Sequence, residues 1–202
     1  LSGVKLQTAC SGTDAPALAL QFFEDAAQRH GRTFKQDHVM SCEIEPFKQA
    51  YLQNNFDSTI YPDIGKLTDQ EGGGPRDIFG IQQPIPDGNF FVAGTVCKNF
   101  SMMRGSMRID IEDKGQSGET FLAAVNFLEQ ETPAFALFEN VLGAPWEKMD
   151  EYITGKVPVF LSEESKKSVR LDKTNQQAKE AGMVIKFVKE DNTYVADEVG
   201  GY

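Results

Sequence analysis

Apolar and polar positions along this chain keep changing rhythm, and each change marks an element. Residues 4–10 alternate apolar with polar side chains and predict a strand. Residues 11–14, Ser-Gly-Thr-Asp in order, read as a turn and helix start. Residues 15–30 carry Leu18, Phe22, Phe23 and Ala26 on one side at helical spacing, and Gly31 is the stop. Residues 38–43 predict a second strand, Pro46 opens a helix to residue 55, and residues 59–64 predict a short extended segment. Residues 66–89 hold Gly72-Gly73-Gly74-Pro75, Pro84, Pro86 and Asp87-Gly88, and read as one long surface loop.

Residues 90–95 and 134–139 are continuous apolar runs and predict buried strands. Between them, residues 102–118 are polar and rich in Gly and Met, which predicts a mobile loop. Residues 119–131 predict a helix with Phe121, Leu122, Val125 and Leu128 as its inner face. Helices are expected over 145–153 and 162–181, a strand over 183–188 and another over 194–199. Trp146 is expected to anchor its helix to the core. Strands alternating with helices point to βαβ units, so the expected fold is α/β, a mostly parallel sheet with helices on both faces. No repeat or boundary divides the chain, and residues 1–202 are read as a single domain.

Composition narrows this only slightly. At 202 residues, with 40% hydrophobic and 25% charged, the chain can bury one sizeable core. It has no apolar run near the roughly 18–20 residues that span a bilayer, and no charged-then-apolar leader is visible. Cys10, Cys42 and Cys97 are odd in number and lack zinc spacing, so they read as reduced thiols of an intracellular protein. His30 and His38 have no metal-binding companions, and no metal site is expected. The net charge of −10 argues against this segment gripping a phosphate backbone by itself. A local cluster of Lys98, Arg104 and Arg108 is the exception.

The candidate chemistry lies where two apolar runs end. Val92-Ala93-Gly94-Thr95-Val96-Cys97-Lys98-Asn99-Phe100-Ser101 delivers a thiol, and Phe135-Ala136-Leu137-Phe138-Glu139-Asn140-Val141 delivers a carboxylate. Adjacent parallel strands bring such groups together at their carboxyl ends. A thiol nucleophile beside a carboxylic acid suits attack on an electron-poor ring with protonation. The first strand, its turn at Gly12 and the following helix form a nucleotide-binding arrangement, although only one glycine of a dinucleotide fingerprint is present. Glu43, with Glu45 as its competitor, can accept bonds from both hydroxyls of a ribose. Asp63-Ile64 can complete an adenine pocket.

Taken in order, these pieces resemble the first half of the C5-cytosine DNA methyltransferases, in a divergent eukaryotic-type branch. Cys10-Ser11-Gly12-Thr13 is similar to the family's cofactor turn, and Asp14-Ala15 stands where a second glycine is common. Ser41-Cys42-Glu43-Ile44-Glu45 is similar to the second motif, Asp63-Ile64 to the third, and Gly94 to Ser101 to the nucleophile loop. Gly118-Glu119-Thr120-Phe121 fits the helix start that follows, and Glu139-Asn140-Val141 matches the glutamate-asparagine-valine signature.

The resemblance implies a Rossmann-like methyltransferase fold, S-adenosylmethionine as cofactor, and DNA as partner, hence the nucleus of a eukaryotic cell. It implies Cys97, Glu139 and Asn140 as catalytic residues. Cofactor contacts fall on Cys10, Ser11, Gly12, Thr13, Asp14, Glu43, Ile44, Asp63, Ile64 and Gly94. Substrate contacts fall on Val96, Lys98, Asn99, Phe100 and Ser101. Val96 and Lys98 replace the usual proline and glutamine, and Val96 leaves the loop less stiff than proline would. No target-recognition domain, arginine-rich motif or closing asparagine motif is found in residues 142–202, so an incomplete catalytic half is expected. Two other functions remain open: a non-catalytic scaffold of the same fold, and a cytosine methyltransferase acting on RNA.

Overall fold

The computed structural model describes residues 3–68, 74–100, 110–112, 115–156 and 183–187. They build one six-stranded sheet between helices. Strand β1 (Val4–Ala9) leads into helix α1 (Ala15–Arg29), β2 (Gln36–Cys42) into α2 (Pro46–Asn55), and β3 (Thr59–Tyr61) into a single 3-10 turn over Ile64–Lys66. Then follow β4 (Phe90–Gly94), α3 (Gln116–Glu131), β5 (Phe135–Glu139), α4 (Trp146–Lys156) and β6 (Met183–Phe187). The sheet order is β3-β2-β1-β4-β5-β6. The first five strands run parallel and β6 is antiparallel to β5. The order reverses between β1 and β4, the switch point where open α/β sheets receive ligands. The expected α/β class with a mostly parallel sheet is the observed one.

The two faces of the sheet are packed differently. On one, Phe91, Phe121, Phe127 and Phe138 join Met40, Tyr61, Val125, Leu128, Trp146, Met149 and Ile153 in the main core. The rings of Phe91 and Phe127 lie 4.7 Å apart and those of Phe121 and Phe138 5.9 Å apart, within the range of favourable aromatic pairs. The other face has a smaller cluster of Leu6, Ala17 and Val92, with Leu20, Phe56, Phe90 and Leu137 against it. Trp146 anchors α4 as expected, its indole N–H donating to the Val141 carbonyl at 3.2 Å.

Three expectations need correction. The face of α1 that meets the sheet carries Ala17 and Leu20, whereas Phe22 and Phe23 point outward, 68% and 69% exposed. The small residues let the helix lie close to the sheet, and the larger rings then face away. Helix α3 begins at Gln116, three residues before residue 119, because the Ser117 side chain is bonded to the loop after β4. The described part of the 66–89 stretch is more than a surface loop. Asp77, 6% exposed, accepts from the N–H groups of Phe79 and Ile81 at 2.9 Å each and from the Gln83 amide at 2.5 Å. Ile78 N–H donates to the Ile60 carbonyl at 2.9 Å, fastening this knot beside β3.

Residues 110–112 are fixed from two sides. Lys148 of α4 pairs with Asp110, which lowers the Asp110 carboxyl below its ordinary range and raises the Lys148 ammonium. Gly118 of α3 lies so close that an added Cβ would come within 2.2 Å of the Ile111 carbonyl oxygen. Most of the 102–118 stretch, the 162–181 helix, the 194–199 strand, Ser101, Arg104 and Arg108 lie outside the described residues.

Candidate active site at the carboxyl ends of the strands

β1 ends in a turn with three left-handed residues, Cys10 (φ 53), Gly12 (φ 58) and Asp14 (φ 55). Only Gly12 adopts this conformation without steric cost, and space is open where its Cβ would be. The Ser11 N–H donates to the Cys42 carbonyl at 3.1 Å, while the Cys42 N–H donates to Ser11 Oγ at 3.1 Å. These bonds fasten the turn to the end of β2. The Gly12 N–H donates to Glu43 Oε2 at 2.8 Å, and the Glu45 N–H donates to Glu43 Oε1 at 3.0 Å. Lys48 Nζ stands 3.8 Å from the same carboxylate. A carboxylate has about four acceptor sites, so Glu43 retains capacity for hydroxyl donors. Glu45 is the exposed N-cap residue of α2, without a side-chain cap bond.

Ile44 follows with 60% exposure, an apolar side chain open to solvent at the end of β2. Asp63 caps the 3-10 turn by accepting the Gly65 N–H on Oδ1 at 2.9 Å, and its Oδ2 lies 3.8 Å from Lys66 Nζ. Ile64 packs into the core with Cys42 and Leu67. Of the two isoleucines paired with acids, Ile44 is the one open to a flat ring. A cavity of about 570 Å³ lies beside Asp63, lined also by Gln49, Lys66, Arg76 and Asp77. Asp14 is brought to the turn, but its carboxylate faces inward beneath it, fully buried. Burial and the nearby Glu43 charge push the Cys10 thiol up to about 12, and burial raises Cys42 as well. The Val96 backbone bonds to Cys10, which joins the first turn to the loop after β4.

At the other half of the edge, Gly94 of β4 stands opposite Glu139 of β5. A Cβ at Gly94 would lie 3.4 Å from Glu139 Oε2, so the exposed carboxylate hangs over the strand end. Buried Asn140 donates to the Thr95 carbonyl at 3.1 Å and to Thr95 Oγ1 at 2.8 Å. Its Oδ1 accepts the Val141 N–H at 2.8 Å, so it ties the ends of β4 and β5 together. Beyond Thr95 the chain turns, and the Phe100 N–H donates to the Cys97 carbonyl at 2.9 Å. Phe100 is buried in the core, while Cys97 and Lys98 are exposed. The Asn99 N–H donates to Ser117 Oγ at 2.9 Å, and the Ser117 hydroxyl donates to Asn99 Oδ1 at 3.1 Å.

The result is a thiol displayed on a short loop whose flanks are pinned by core packing and by the first turn of α3. Thr95 and Ser117 are pinning residues that sequence reasoning missed. The hydroxyls at these positions, flanking the thiol loop and opening α3, are the only signals that mark them.

Residues 21–180 match the family described as C-5 cytosine-specific DNA methylase. The chain is 38% identical over 157 residues to a DNA (cytosine-5-)-methyltransferase DMT5 of Cryptococcus neoformans, covering 75% of this chain. It is 28% identical over 211 residues to the DMT5 of Verticillium dahliae, covering 79% of this chain. The matches span only 6% and 9% of those relatives' lengths. Among solved structures, the Dnmt2 methyltransferase of S. pombe matches 75% of this chain and 40% of its own, with 16% identity and a TM-score of 0.46. With the family pattern covering most of its length, the chain belongs to the C-5 cytosine-specific DNA methylases.

Proposed function

We propose that this domain methylates carbon 5 of cytosine in DNA through a covalent bond between Cys97 and the base, with S-adenosylmethionine as methyl donor. The observation that supports this best is the pairing of strand ends: Gly94 faces Glu139, and exposed Cys97 follows on a pinned loop. The cofactor residues suit the group. Glu43 keeps acceptor capacity for ribose hydroxyls, Ile44 offers an open apolar face, and Asp63 Oδ2 can accept from an amino group. Cys10, Ser11, Gly12 and Thr13 wall the methionine end, and Gly94 leaves room beside it. Asp14 and Ile64 act from beneath, supporting the turn and the core.

S-adenosylmethionine, when bound, supplies an electrophilic methyl group. The target cytosine leaves the helix stack to be reached. Cys97, as thiolate, bonds to ring carbon 6. Glu139, protonated or sharing a proton with ring nitrogen 3, hydrogen-bonds to that nitrogen and accepts from the exocyclic amine, which offsets the charge developing on the ring. Carbon 5, now electron-rich, takes the methyl group. Loss of its proton returns the electron pair to the ring and expels Cys97. Asn140 holds Thr95 and so fixes the base of the loop. Phe100 anchors the loop, while Val96, Lys98 and Asn99 shape the surface that the base meets. The net charge of −10 assigns most phosphate contacts to other parts of the protein. In a eukaryotic cell, DNA as substrate puts its work in the nucleus.

The test is the full-length protein incubated with S-adenosylmethionine and DNA carrying 5-fluorocytosine, in which fluorine blocks the final proton loss. A covalent species in wild type that is absent in Cys97→Ala is the expected result. Cytosine methylation without the adduct would overturn the Cys97 role. Cofactor binding with neither methylation nor adduct would favour the scaffold function.

A further inference from the structure

Asp14 is an odd N-cap. An aspartate there ordinarily takes an N–H of the first helical turn on its carboxylate. Here no side-chain cap bond is made, and the residue is left-handed at φ 55, ψ 49. A left-handed aspartate carries backbone strain that the surroundings must hold in place. Its main chain is committed to the turn: the Asp14 N–H donates to the Ser11 carbonyl at 2.7 Å, and its own carbonyl accepts the Ala17 N–H at 3.0 Å.

The carboxylate instead points down into the sheet. Asp14 Oδ2 accepts from Thr8 Oγ1 of β1 at 3.0 Å and from Ser41 Oγ of β2 at 2.7 Å. His38 Nε2, also on β2, lies 3.2 Å away, with side-chain exposures of 7% for the histidine and 0% for the aspartate. Ser58 Oγ reaches Ser41 Oγ at 2.8 Å, and the Phe56 ring meets the imidazole edge-on at 5.2 Å. His38 Nδ1 is buried without a partner. A proton there would be a buried donor with no acceptor, which is costly. The tautomer that fits this geometry carries its proton on Nε2, between Asp14 Oδ2 at 3.2 Å and Ser41 Oγ at 3.1 Å.

We propose that His38 is a positioning residue for cofactor binding, acting through Asp14: the imidazole N–H holds the carboxylate that keeps the turn over residues 11–14, with its left-handed Gly12 and Asp14, in shape. The assignment rests on the cofactor reading above. Nothing in it requires His38 to touch the cofactor. The ring lies beneath the turn, and its effect reaches the ligand only through backbone geometry.

The experiment is titration of the full-length protein with S-adenosylhomocysteine, together with steady-state methylation, for wild type, His38→Leu, His38→Gln and Glu43→Ala. His38→Leu removes the donor, and binding is expected to weaken about tenfold. KM for S-adenosylmethionine should rise in parallel with little change in kcat. His38→Gln places an amide N–H near the Nε2 position and should restore most of the affinity. Equal affinity in wild type and His38→Leu would overturn the proposal while leaving the cofactor reading intact. A loss of kcat and melting temperature at constant KM, unrescued by glutamine, would show a merely structural role and overturn it too. Failure of the wild type to bind, with Glu43→Ala no different, would instead remove the cofactor reading. If His38→Leu does not fold, Ser41→Ala deletes a smaller donor to the same oxygen. Weaker binding at unchanged melting temperature supports the proposal, and unchanged binding overturns it.

Discussion

The turn after β1 and the loop after β4 sit on the same edge of the sheet but are held by opposite means. At the first, α1 packs on the small cluster of Leu6, Ala17 and Val92, and the turn's shape is set by the buried polar groups of Thr8, Asp14 and Ser41 with half-buried Ser11. The second rests on the aromatic core, with Phe100 driven into it and Asn99 and Asn140 bracing its ends. Hydrogen bonds dictate where backbone N–H groups point, which the proposed cofactor turn needs. Packing dictates where a loop sits and leaves its tip bare, which the proposed nucleophile needs. The difference suggests that the two halves respond to different kinds of substitution.

The severest test of that contrast is Phe121→Ala. The ring is 1% exposed and meets Phe138 and Tyr152, so truncation should cost about 3–5 kcal/mol in chemical denaturation. A loss smaller than that of Leu6→Ala would reverse the ranking of the two faces. Next comes Asn140→Ala, which strips two bonds from buried Thr95. It should lower the rate of adduct formation about ten- to a hundredfold, equivalent to about 1–3 kcal/mol, while leaving S-adenosylhomocysteine affinity unchanged. A parallel loss of cofactor affinity would mean the two loops are not separable.

A chemical test separates the thiols. With Cys10 pushed up to about 12, its thiolate is about one part in ten thousand at pH 8 and grows only as the pH approaches that value. Cys42 is buried and raised too, whereas Cys97 is exposed. Iodoacetamide at pH 8 should therefore alkylate Cys97 first, read by peptide mass mapping. Prior labelling of Cys10 would show that the first turn opens more readily than its hydrogen bonds imply. The smallest effect is expected at Phe23→Ser on the outward side of α1, within about 0.5 kcal/mol by denaturation.

Much of the architecture was legible because the runs at 90–95 and 134–139 are apolar throughout, as buried parallel strands must be. The places of Gly94 and Glu139 at strand ends were legible as well, since each closes such a run. Helix α1 was legible but its inner face was not, because periodicity ranks side chains by size and hydrophobicity, whereas close approach to a sheet favours Ala17. The start of α3 was missed because Ser117 and Gly118 are weak helix formers, and a tertiary bond from Asn99 overrides them. His38 read as an ordinary strand residue. Its aspartate partner lies far off in the chain, and only the register of β1 against β2 brings them together.

Gly118 bears on heredity as much as on geometry. With the Ile111 carbonyl 2.2 Å from where a methyl would stand, every codon change that adds a side chain there forces backbone apart from backbone. Glu119 next to it is exposed. In a library randomised at both positions and selected for methylation, survivors would be near-uniform at the first and mixed at the second. The invariance would record a steric boundary rather than a chemical task.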